Sequence, residues 1–461
     1  MRSLIAILAL FLFMGASVSL LADEVMHIQI HADRVVRNQA DRFIGINVNF
    51  LRDADTNRAP GARPLAEALN ELGVRWLRYP GGEKSDYYRF ANPPYGEANP
   101  AALGWYGEQG GDWLDFDAYI ALCRAQGAEP YVVVACESEA NSGASWAEQL
   151  EHAVAWVRYA NVIQGYGVRY WEIGNENWHN KTAPAAEMAA HVQAFAQAMR
   201  AMDPTISIGA SGSDKAWWKE FLPLVASDLD FLSVSVYNTW GWKSYARFVE
   251  EPAPSLLASA GTALKAIDAL PPGPDRERLR VIVAETNSVD YSPDGWPKTN
   301  TLGHALVTFS TFGALLHQSR IQGAFLWNTR WIDDTEAAQN QFYALDGLNR
   351  LLPAGQAVGL WGRHLHADML NVTGASGQVT AFASADAGGA WTVWLVHRAV
   401  VGTATVAVEL DGLNWGNKVR VQIWSGRDPE DSTLKLTKDH FLTEATVVEC
   451  PPLSITILTG G

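Results

Sequence analysis

The sequence predicts an α/β fold, a (β/α)8 TIM barrel joined to a C-terminal antiparallel β-sandwich. Eight short apolar segments alternate with helical patterns over about 310 residues, which is typical of such a barrel. After Asn349 the pattern becomes alternating and β-rich, with turn residues at intervals of about ten positions. A doubly wound open sheet is the alternative, but no glycine-rich phosphate loop follows the first strand.

The composition is that of a globular protein with a large core, since 48% of the residues are hydrophobic and 18% are charged. Disorder is excluded for the bulk of the chain. The 50 acidic and 35 basic residues give a net charge of −15, so the basic surface that a nucleic-acid binder needs is absent. The 19 tryptophans stand beside only 7 methionines, and grooves that hold sugars are one common use for surplus tryptophan.

Residues 1–22 have the pattern of a secretory signal peptide. Arg2 precedes an apolar run from Leu4 to Met14, and the small residues Gly15 to Ser17 follow. A transmembrane anchor is the alternative, but the run is short for the roughly 20 apolar residues that a span requires. We therefore expect a secreted or periplasmic protein that is free of the membrane after cleavage.

No metal or organic cofactor is expected. Three cysteines are too few for a disulfide framework in an exported chain of this size, so they are expected to be buried free thiols: Cys123, Cys136 and Cys450. The nearest approach to a metal-binding pattern is His364, His366 and Asp368, which in a strand would simply share one face.

The barrel strands are predicted from apolar runs of four to eight residues, as expected for strands buried on both faces. A polar–apolar alternation from Met26 to Val36 first predicts an edge strand, which we expect to join the sandwich. The eight barrel strands are predicted at Phe43–Val48, Val74–Tyr79, Pro130–Ala135, Val168–Gly174, Ser207–Ala210, Phe231–Tyr237, Leu279–Ala284 and Gln322–Trp327.

Helical patterns lie between these strands. The pattern that ends before Gly73 opens with a proline, and the second one places Leu150, Val154 and Val157 on one face. The four clearest helices are predicted at Pro64–Leu72, Trp146–Ile163, Ala185–Met202 and Thr301–His317.

The sandwich strands follow after Gly359, at Val379–Phe382, Trp391–Val396, Thr405–Leu410, Val419–Trp424 and Ser454–Leu458. The predicted organisation is a signal peptide at residues 1–22, a catalytic barrel at residues 40–350, and a sandwich formed by residues 23–39 and 355–461.

Two strand ends deliver glutamates to the barrel mouth, where the reactive groups of such barrels lie. The fourth strand ends in Gly174-Asn175-Glu176, and the seventh strand is followed by Glu285. Retaining glycoside hydrolysis needs a carboxylate nucleophile and a carboxylic acid roughly 5–5.5 Å apart. Carboxyl groups that close cannot both ionise easily, so one of them keeps its proton. The spacing alone does not assign the two roles.

Asn175-Glu176, paired with Glu285, resembles clan A of the retaining glycoside hydrolases. The resemblance implies that Glu176 is the acid/base and Glu285 the nucleophile, and that Asn175 binds the 2-hydroxyl of the sugar. It further implies that Tyr237 donates a hydrogen bond to the nucleophile and that Arg78 supports the nucleophile's carboxylate.

Trp327 matches the aromatic residue that clan A places after the eighth strand. Within the clan, Arg78–Gly82 and Trp171–Glu176 are similar to family 51, the α-L-arabinofuranosidases, which also share the barrel-then-sandwich layout. The nucleophile segment departs from that family, which often has Asp-Glu-Trp there. This chain has Ala284–Ser288, and its Glu-Thr pair is closer to family 79, the β-glucuronidase and heparanase group.

Further residues near the strand ends are candidates for substrate contacts, although each has an ordinary structural explanation as well. Five tryptophans follow barrel strands and could stack on sugar rings: Trp178, Trp240, Trp242, Trp327 and Trp331. The polar candidates for sugar hydroxyls are Asn47, Asn49, Glu83, Asp86, Glu137 and Glu139. His179 and His304 are expected to have structural or ligand-binding roles, because the two glutamates already supply the acid and the base.

The expected function is therefore that of an exported retaining glycosidase acting on plant or microbial polysaccharide, with α-L-arabinofuranosidase as the leading activity. An endo-acting β-glycanase of the same clan is the first alternative. A uronic-acid-cleaving enzyme needs a cation near the reacting sugar, for which only Lys84 and Lys243 are candidates. A non-catalytic glycan-binding protein and an aldolase are the remaining alternatives. An aldolase would normally use a lysine at a strand end to form a Schiff base, and no predicted strand ends in a lysine.

Overall fold

Eight parallel strands close into a barrel, and a separate nine-stranded sheet is built mainly from the C-terminal part of the chain. The computed structural model describes residues 25–92, 95–98, 112–180, 183–250, 256–289, 295–296, 300–331, 343–375, 377–443 and 447–461. The predicted signal peptide lies outside these residues. Within them, each helix is too short or too polar to traverse a lipid bilayer.

In chain order the strands are β1 Met26–Arg37, β2 Ile44–Asn47, β3 Trp76–Tyr79, β4 Tyr88–Asn92, β5 Tyr95–Ala98, β6 Glu129–Val134, β7 Tyr170–Ile173, β8 Ser207–Ser211, β9 Phe231–Val236, β10 Arg280–Thr286, β11 Ile321–Leu326, β12 Asp368–Thr373, β13 Val379–Ala385, β14 Trp391–His397, β15 Ala404–Asp411, β16 Val419–Ser425, β17 Lys435–Leu442, β18 Val447–Cys450 and β19 Ser454–Gly460. The barrel consists of β2, β3 and β6 to β11, in that order around the ring. All eight predicted barrel strands are confirmed. The pair β4 and β5 forms a small hairpin.

Large side chains fill the lower part of the barrel interior, so the barrel is a packed core and not a pore. They come from seven positions on six strands: Trp76, Tyr131, Tyr170, Phe231, Ile282, Ala284 and Phe325. A ligand can therefore reach the interior only from the opposite end, where the carboxyl ends of the strands lie.

The principal helices are α1 Leu65–Leu72, α2 Phe116–Gln126, α3 Glu139–Ser142, α4 Trp146–Val157, α5 Asn177–Asn180, α6 Ala185–Met202, α7 Lys215–Val225, α8 Ala246–Glu250, α9 Ala258–Ala269, α10 Pro274–Arg278, α11 Leu302–Leu316 and α12 Pro353–Gly362. The four predicted helices are confirmed, and α4 continues as a wider π-helical turn over Arg158–Ile163. Gly73 ends α1 in the left-handed conformation, at φ 66°.

Two details of the helices differ from the prediction. The fully buried residues of α4 are Gln149, Ala153, Trp156 and Val157. The predicted Leu150 and Val154 also pack against the core but are only partly buried. The helix α12 was not predicted, because its segment was assigned in part to the sandwich. It contacts α11 and α1 of the barrel and is buried almost all round, so it shows no amphipathic period.

The second sheet runs in the order β17-β16-β19-β14-β13-β12-β1-β15-β18. β18, at one end of this order, contacts β19 and β14 near the other end, so the sheet folds over a common apolar core and forms the predicted sandwich. The N-terminal strand β1 lies inside this sheet, antiparallel to β12 but parallel to β15, so the sandwich is not wholly antiparallel. The three cysteines are free and buried, as predicted.

Candidate active site

The two glutamates selected from the sequence face the same cavity. Glu176 and Glu285 both line an open cavity of about 780 Å³ at the C-terminal end of the barrel. Glu176 follows β7 in a turn where Gly174 (φ 71°) and Glu176 itself (φ 46°) have left-handed backbones. Glu285 lies near the end of β10, just after an irregularity in the pairing with β9 between Val283 and Glu285, which re-aims its side chain.

Two donors hold the carboxyl group of Glu285. Nη1 of Arg78 donates to Oε1 at 3.0 Å, and the hydroxyl of Tyr237 donates to Oε2 at 2.8 Å. Gly82 lies against the same group, since a Cβ on that residue would come within 2.7 Å of Glu285 Oε1. Each oxygen of Glu285 thus has its own donor, which favours the ionised form.

Arg78 connects this carboxylate to the barrel interior. It is buried, and its five N–H donors make five hydrogen bonds. Besides Glu285, it binds Oε2 of Glu172 through Nε (3.0 Å) and Nη2 (2.8 Å), Oδ1 of Asn47 (2.9 Å) and Oδ1 of Asn175 (2.8 Å). The guanidinium is therefore fixed on all sides and cannot turn away from Glu285.

Glu176 has a different environment. Oε1 of Glu176 accepts a short hydrogen bond from the Ser235 hydroxyl on β9. Burial raises the pKa of Glu176, and the nearby carboxylates of Glu172 and Glu83 raise it further, while Ser235 and Arg78 act in the opposite direction. Within the described residues no arginine or lysine donates to this carboxyl group, so its protonated form is the favoured one.

The two carboxyl groups titrate as a coupled pair. Burial raises the pKa of Glu285 to about 8, the charge of Glu176 adds to the rise, and Arg78 and Tyr237 oppose it. When one of the two carboxyl groups is ionised, its charge favours the protonated form of the other, so the pair shares one proton. Because both charge-stabilising donors bind Glu285, we place that proton on Glu176. This division is the one that a retaining glycosidase needs.

Aromatic side chains form much of the cavity wall. Four of the five tryptophans proposed from the sequence line it: Trp178, Trp240, Trp327 and Trp331. Trp240 is 60% exposed at the rim, whereas Trp327 is only 4% exposed beside the glutamates. Trp242 does not line the cavity, because its ring is buried against Phe248.

Charged groups of the wall are mainly acidic. Among the described lining residues, the carboxyl groups are Glu83, Glu176 and Glu285, and His179 is the only side chain able to carry a positive charge. Lys84 lies behind this wall, 1% exposed, with its Nζ 3.8 Å from the ring centre of Trp331 and 4.9 Å from that of Trp327.

Burial lowers the pKa of Lys84 to about 7, although Glu285, Asp53 and Glu83 counteract this effect. Its ammonium group therefore interacts electrostatically with the Glu285 carboxyl group from behind the tryptophan rings. Lys243, the other cation considered for a uronic acid, is exposed and does not appear among the described lining residues.

Three predicted substrate contacts lie beneath the cavity and not on its surface. Asn47 is buried and donates to the carbonyl of Ala284 at 2.8 Å, so its amide positions the strand ends. Asn175 and Arg78 are also buried, and Nη2 of Arg78 donates a hydrogen bond to Oδ1 of Asn175. Of the substrate-binding candidates, Glu83, Tyr237, Trp178, Trp240 and Trp327 line the cavity.

The remaining polar candidates have structural surroundings. Asp86 is buried, Glu137 pairs with His191, and the Glu139 carboxylate accepts from the backbone of Trp146 at 3.0 Å. Asn49 donates to the backbone carbonyls that follow β11.

His304 stacks on Trp296 with 3.7 Å between ring centres, and burial lowers its pKa to about 3. It is thus a neutral core histidine, whereas His179 faces the cavity.

Sequence reasoning missed two residues of the site, because Glu172 and Ser235 had no assigned role. Lys84 was considered only as a cation for a uronic acid, and the structure places it behind the cavity wall. A signal was available for Glu172, because it is a charged residue inside an otherwise apolar strand and must have a buried partner. Ser235 gave no comparable signal.

Comparison with known proteins supports the family resemblance. Residues 68–246 match a family model described as the α-L-arabinofuranosidase 1 domain. A probable α-L-arabinofuranosidase C of Aspergillus clavatus is 27% identical over 173 residues, which cover 33% of this chain and 32% of that protein. An intracellular exo-α-L-arabinofuranosidase of Bacteroides ovatus is 26% identical over 265 residues, 50% of each chain. The matched region thus spans at most half the length of these two relatives.

The fold matches over nearly the whole chain. A thermostable family 51 α-L-arabinofuranosidase from Thermotoga petrophila superposes with a TM-score of 0.71 at 19% identity, over 95% of this chain and all of that one. At this identity the match shows the common architecture, a (β/α)8 barrel with a β-sandwich. The expected resemblance to family 51 in clan A is confirmed.

Proposed function

We propose that this chain, a relative of the family 51 clan A glycoside hydrolases, is a retaining glycosidase that releases α-L-arabinofuranosyl groups. The observation that carries the proposal is the unequal surroundings of two glutamates in one cavity. Glu285 is held by Arg78 and Tyr237, whereas among the described residues Glu176 accepts a side-chain hydrogen bond from Ser235 alone. This asymmetry supports a nucleophile at Glu285 and a proton donor at Glu176.

In the first step, a carboxylate oxygen of Glu285 attacks the anomeric carbon of the bound sugar. The bond from that carbon to the leaving oxygen breaks, and Glu176 transfers its proton to this oxygen. A covalent glycosyl ester on Glu285 and an ionised Glu176 remain. Arg78 and Tyr237 hold the Glu285 side chain throughout, so little reorganisation is required.

In the second step, Glu176 accepts a proton from a water molecule, whose oxygen attacks the anomeric carbon. The ester bond breaks, the free sugar leaves with its original anomeric configuration, and Glu285 is again a carboxylate. The second step restores both starting protonation states, so the cycle needs no further reactant.

The charges of the cavity support a neutral sugar. Three glutamates line the wall, and among the described lining residues His179 alone could be cationic. A uronic acid would place its carboxylate among these acidic groups, and the described part of the lining contains no lysine or arginine to pair with it. Lys84 lies behind the rings of Trp327 and Trp331 and cannot serve this purpose.

An endo-acting β-glycanase is the second candidate. The observation that favours it is the spread of tryptophans from the buried Trp327 to Trp240, which is 60% exposed at the rim. Such a row suits several successive sugar units of one chain. The products distinguish the two activities, because an arabinofuranosidase releases a monosaccharide and an endo-glycanase releases a ladder of oligosaccharides.

We also propose that the protein is exported. The apolar run from Leu4 to Met14, preceded by Arg2, supports this proposal. Expression of the full chain, followed by N-terminal sequencing of the protein outside the cytoplasm, tests it. A mature protein that begins near residue 23 is expected. A chain that stays in the cytoplasm with Met1 intact would contradict export.

The activity is tested with purified protein and a panel of arabinan, arabinoxylan, xylan, β-glucans, galactans and glucuronic-acid polymers. Glu285→Gln is the inactive control, and Glu151→Gln is the matched control because Glu151 is exposed on α4. Arabinose released by the parent and by Glu151→Gln, but not by Glu285→Gln, is expected. Activity retained in Glu285→Gln, or release of other sugars alone, would overturn the proposal.

A further inference from the structure

Ser235 lies between the two glutamates of the site. It is located on β9 and lines the cavity. Across the sheet it is paired in register with Glu285 on β10. Its hydroxyl, however, donates to Oε1 of Glu176, which follows β7. The residue is therefore the sheet neighbour of one glutamate and the hydrogen-bond partner of the other.

Tyr237 makes the complementary contact. It follows Ser235 by two positions, and its hydroxyl donates to Oε2 of Glu285 at 2.8 Å. In extended backbone, side chains two positions apart point to the same side and are separated by about 6–7 Å. The end of a single strand thus presents one donor to each glutamate, and the spacing of these donors is set by the backbone.

The position of Ser235 is itself fixed. β9 is hydrogen-bonded between β8 and β10, and the Ser259 hydroxyl donates to the carbonyl of Ser235. Glu176, by contrast, lies in a turn beyond its strand with a left-handed backbone. Among the described residues, Ser235 is the only side chain that hydrogen-bonds to the Glu176 carboxyl group. β9 therefore holds the Glu176 carboxyl group through Ser235, although Glu176 itself belongs to the turn after β7.

We propose that Ser235 is a positioning residue for proton transfer, which holds the Glu176 carboxyl group at the leaving oxygen and at a fixed distance from Glu285. The inference rests on the proposed function, because it assigns Ser235 a part in the glycosidase reaction. A hydroxyl that merely satisfied a buried polar group would not affect proton transfer, and this difference is measurable.

Charged groups from several elements also act on Glu176. They are Arg78 on β3, Glu83 and Asp86 in the turn after β3, Glu172 on β7 and Glu285 on β10. Arg78 favours the ionised form of Glu176, and the carboxyl groups oppose it. The Ser235 hydroxyl donates to Glu176 and so also favours the ionised form. Loss of the hydroxyl must therefore move the deprotonation of Glu176 to higher pH.

Steady-state kinetics of Ser235→Ala and Ser235→Thr provide the first test, with aryl glycosides of the sugar that the parent releases. Ser235→Ala is expected to lower kcat/KM about 30-fold for a poor leaving group and less than threefold for a good one, which needs little protonation. In the pH profile of kcat/KM, the alkaline limb of Ser235→Ala is expected to lie about one pH unit higher than that of the parent.

Two further variants sharpen this test. Ser235→Thr keeps the hydroxyl and is expected to stay within about threefold of the parent. Tyr237→Phe removes the hydroxyl that donates to Glu285, so it is expected to shift the acidic limb of the pH profile and not the alkaline one. Ser227→Ala is the matched control, because Ser227 is exposed and far from the cavity lining.

Carbon-13 NMR of protein labelled at the glutamate carboxyl carbons provides a test that needs no substrate. The Glu176 signal is identified by its absence from Glu176→Gln. Its titration is expected to move to higher pH in Ser235→Ala and to return in Ser235→Thr. An unchanged titration, or equal losses for good and poor leaving groups, would overturn the role of Ser235. A parent inactive on every glycoside would overturn the proposed function, and the NMR titration would still decide whether Ser235 controls Glu176.

Discussion

Arg78 and Glu172 form a salt bridge inside the barrel, 2.8 Å between Nη2 and Oε2, with both side chains 1% exposed. Glu172 also accepts a hydrogen bond from the hydroxyl of Tyr131 at 3.0 Å. The pair lies directly beneath the cavity, and the other end of the same guanidinium holds Glu285. The nucleophile is thus connected to the packed interior of the barrel through a single arginine.

Replacement of Arg78 by Lys is expected to reduce both stability and activity. Lysine has one ammonium group and cannot reproduce five hydrogen bonds in a plane. The partly unpaired Glu172 should cost about 3 kcal/mol of unfolding free energy, and kcat/KM should fall at least about 100-fold. Urea unfolding and steady-state kinetics measure the two effects. Arg420→Lys, at an exposed pair with Asp439, is the control and should change stability by less than about 0.5 kcal/mol.

The pH dependence of kcat/KM should follow the glutamate pair. At low pH Glu285 becomes protonated and loses its nucleophilicity, and at high pH Glu176 loses the proton that it must donate. Because burial and the nearby carboxylates raise the pKa of Glu176, the alkaline limb should lie above the ordinary range of a glutamate carboxyl group, and kcat/KM measured against pH checks this.

Glu176→Gln removes the group whose loss of a proton should end activity at high pH. With an activated substrate, this variant should lose the alkaline limb. Its acidic limb should stay near that of the parent, because Glu285 ionises there beside a neutral side chain in both proteins. An alkaline limb that persists in Glu176→Gln would show that another group controls it.

Lys84→Met is expected to make the protein more stable and less active. The pKa of Lys84 is lowered to about 7, so between about pH 7 and its ordinary value near 10.5 the unfolded chain binds more protons than the folded one. Stability of the parent therefore rises with pH in this range. The gain in unfolding free energy of Lys84→Met over the parent should be largest at pH 7 and below, and it should decrease towards pH 10.

Urea unfolding at pH 7 and pH 9.5 checks this prediction, with Lys219→Met on the exposed surface of α7 as the control. The acidic limb of activity should move to higher pH in Lys84→Met, because a cation that favours ionised Glu285 is lost. A stability gain that does not vary with pH would contradict this role of the buried ammonium group.

Trp240→Ala should affect long substrates more than short ones. Trp240 lies at the cavity rim and is 60% exposed, so its ring is available to the part of a substrate that lies beyond the cleaved bond. We expect KM for oligosaccharides to rise about tenfold, with less than a twofold change for an aryl glycoside. Trp113→Ala is the control, because Trp113 is 39% exposed and packs on Phe50 outside the described cavity lining. Equal effects on both substrate types would contradict the assignment.

The barrel could be predicted because its strands are buried on both faces and therefore stand out as apolar runs. The strand ends in turn indicated Glu176 and Glu285, whose places follow from the topology alone. The partner of Glu172 could not be predicted, because Arg78 is 94 positions away in the sequence and meets it only when the barrel closes.

Loop residues were harder to predict than strand ends. Trp240 and Trp242 are two positions apart in the same loop, yet one is exposed at the cavity and the other is buried against Phe248. The helix α12 was missed for a related reason, since burial on nearly every side removes the polar face that reveals a helix.

The strand β1 has consequences for the order in which the chain folds during synthesis. It precedes the whole barrel, yet its two sheet neighbours are β12 and β15, which end at Thr373 and Asp411. One edge of β1 therefore stays open until residue 373 has left the ribosome, and the other stays open until residue 411 has done so. A fragment that stops at the end of the barrel retains β1 without its sheet neighbours, and an unpaired strand edge of this kind promotes aggregation. Removal of β1 together with the sandwich is the better way to shorten this protein.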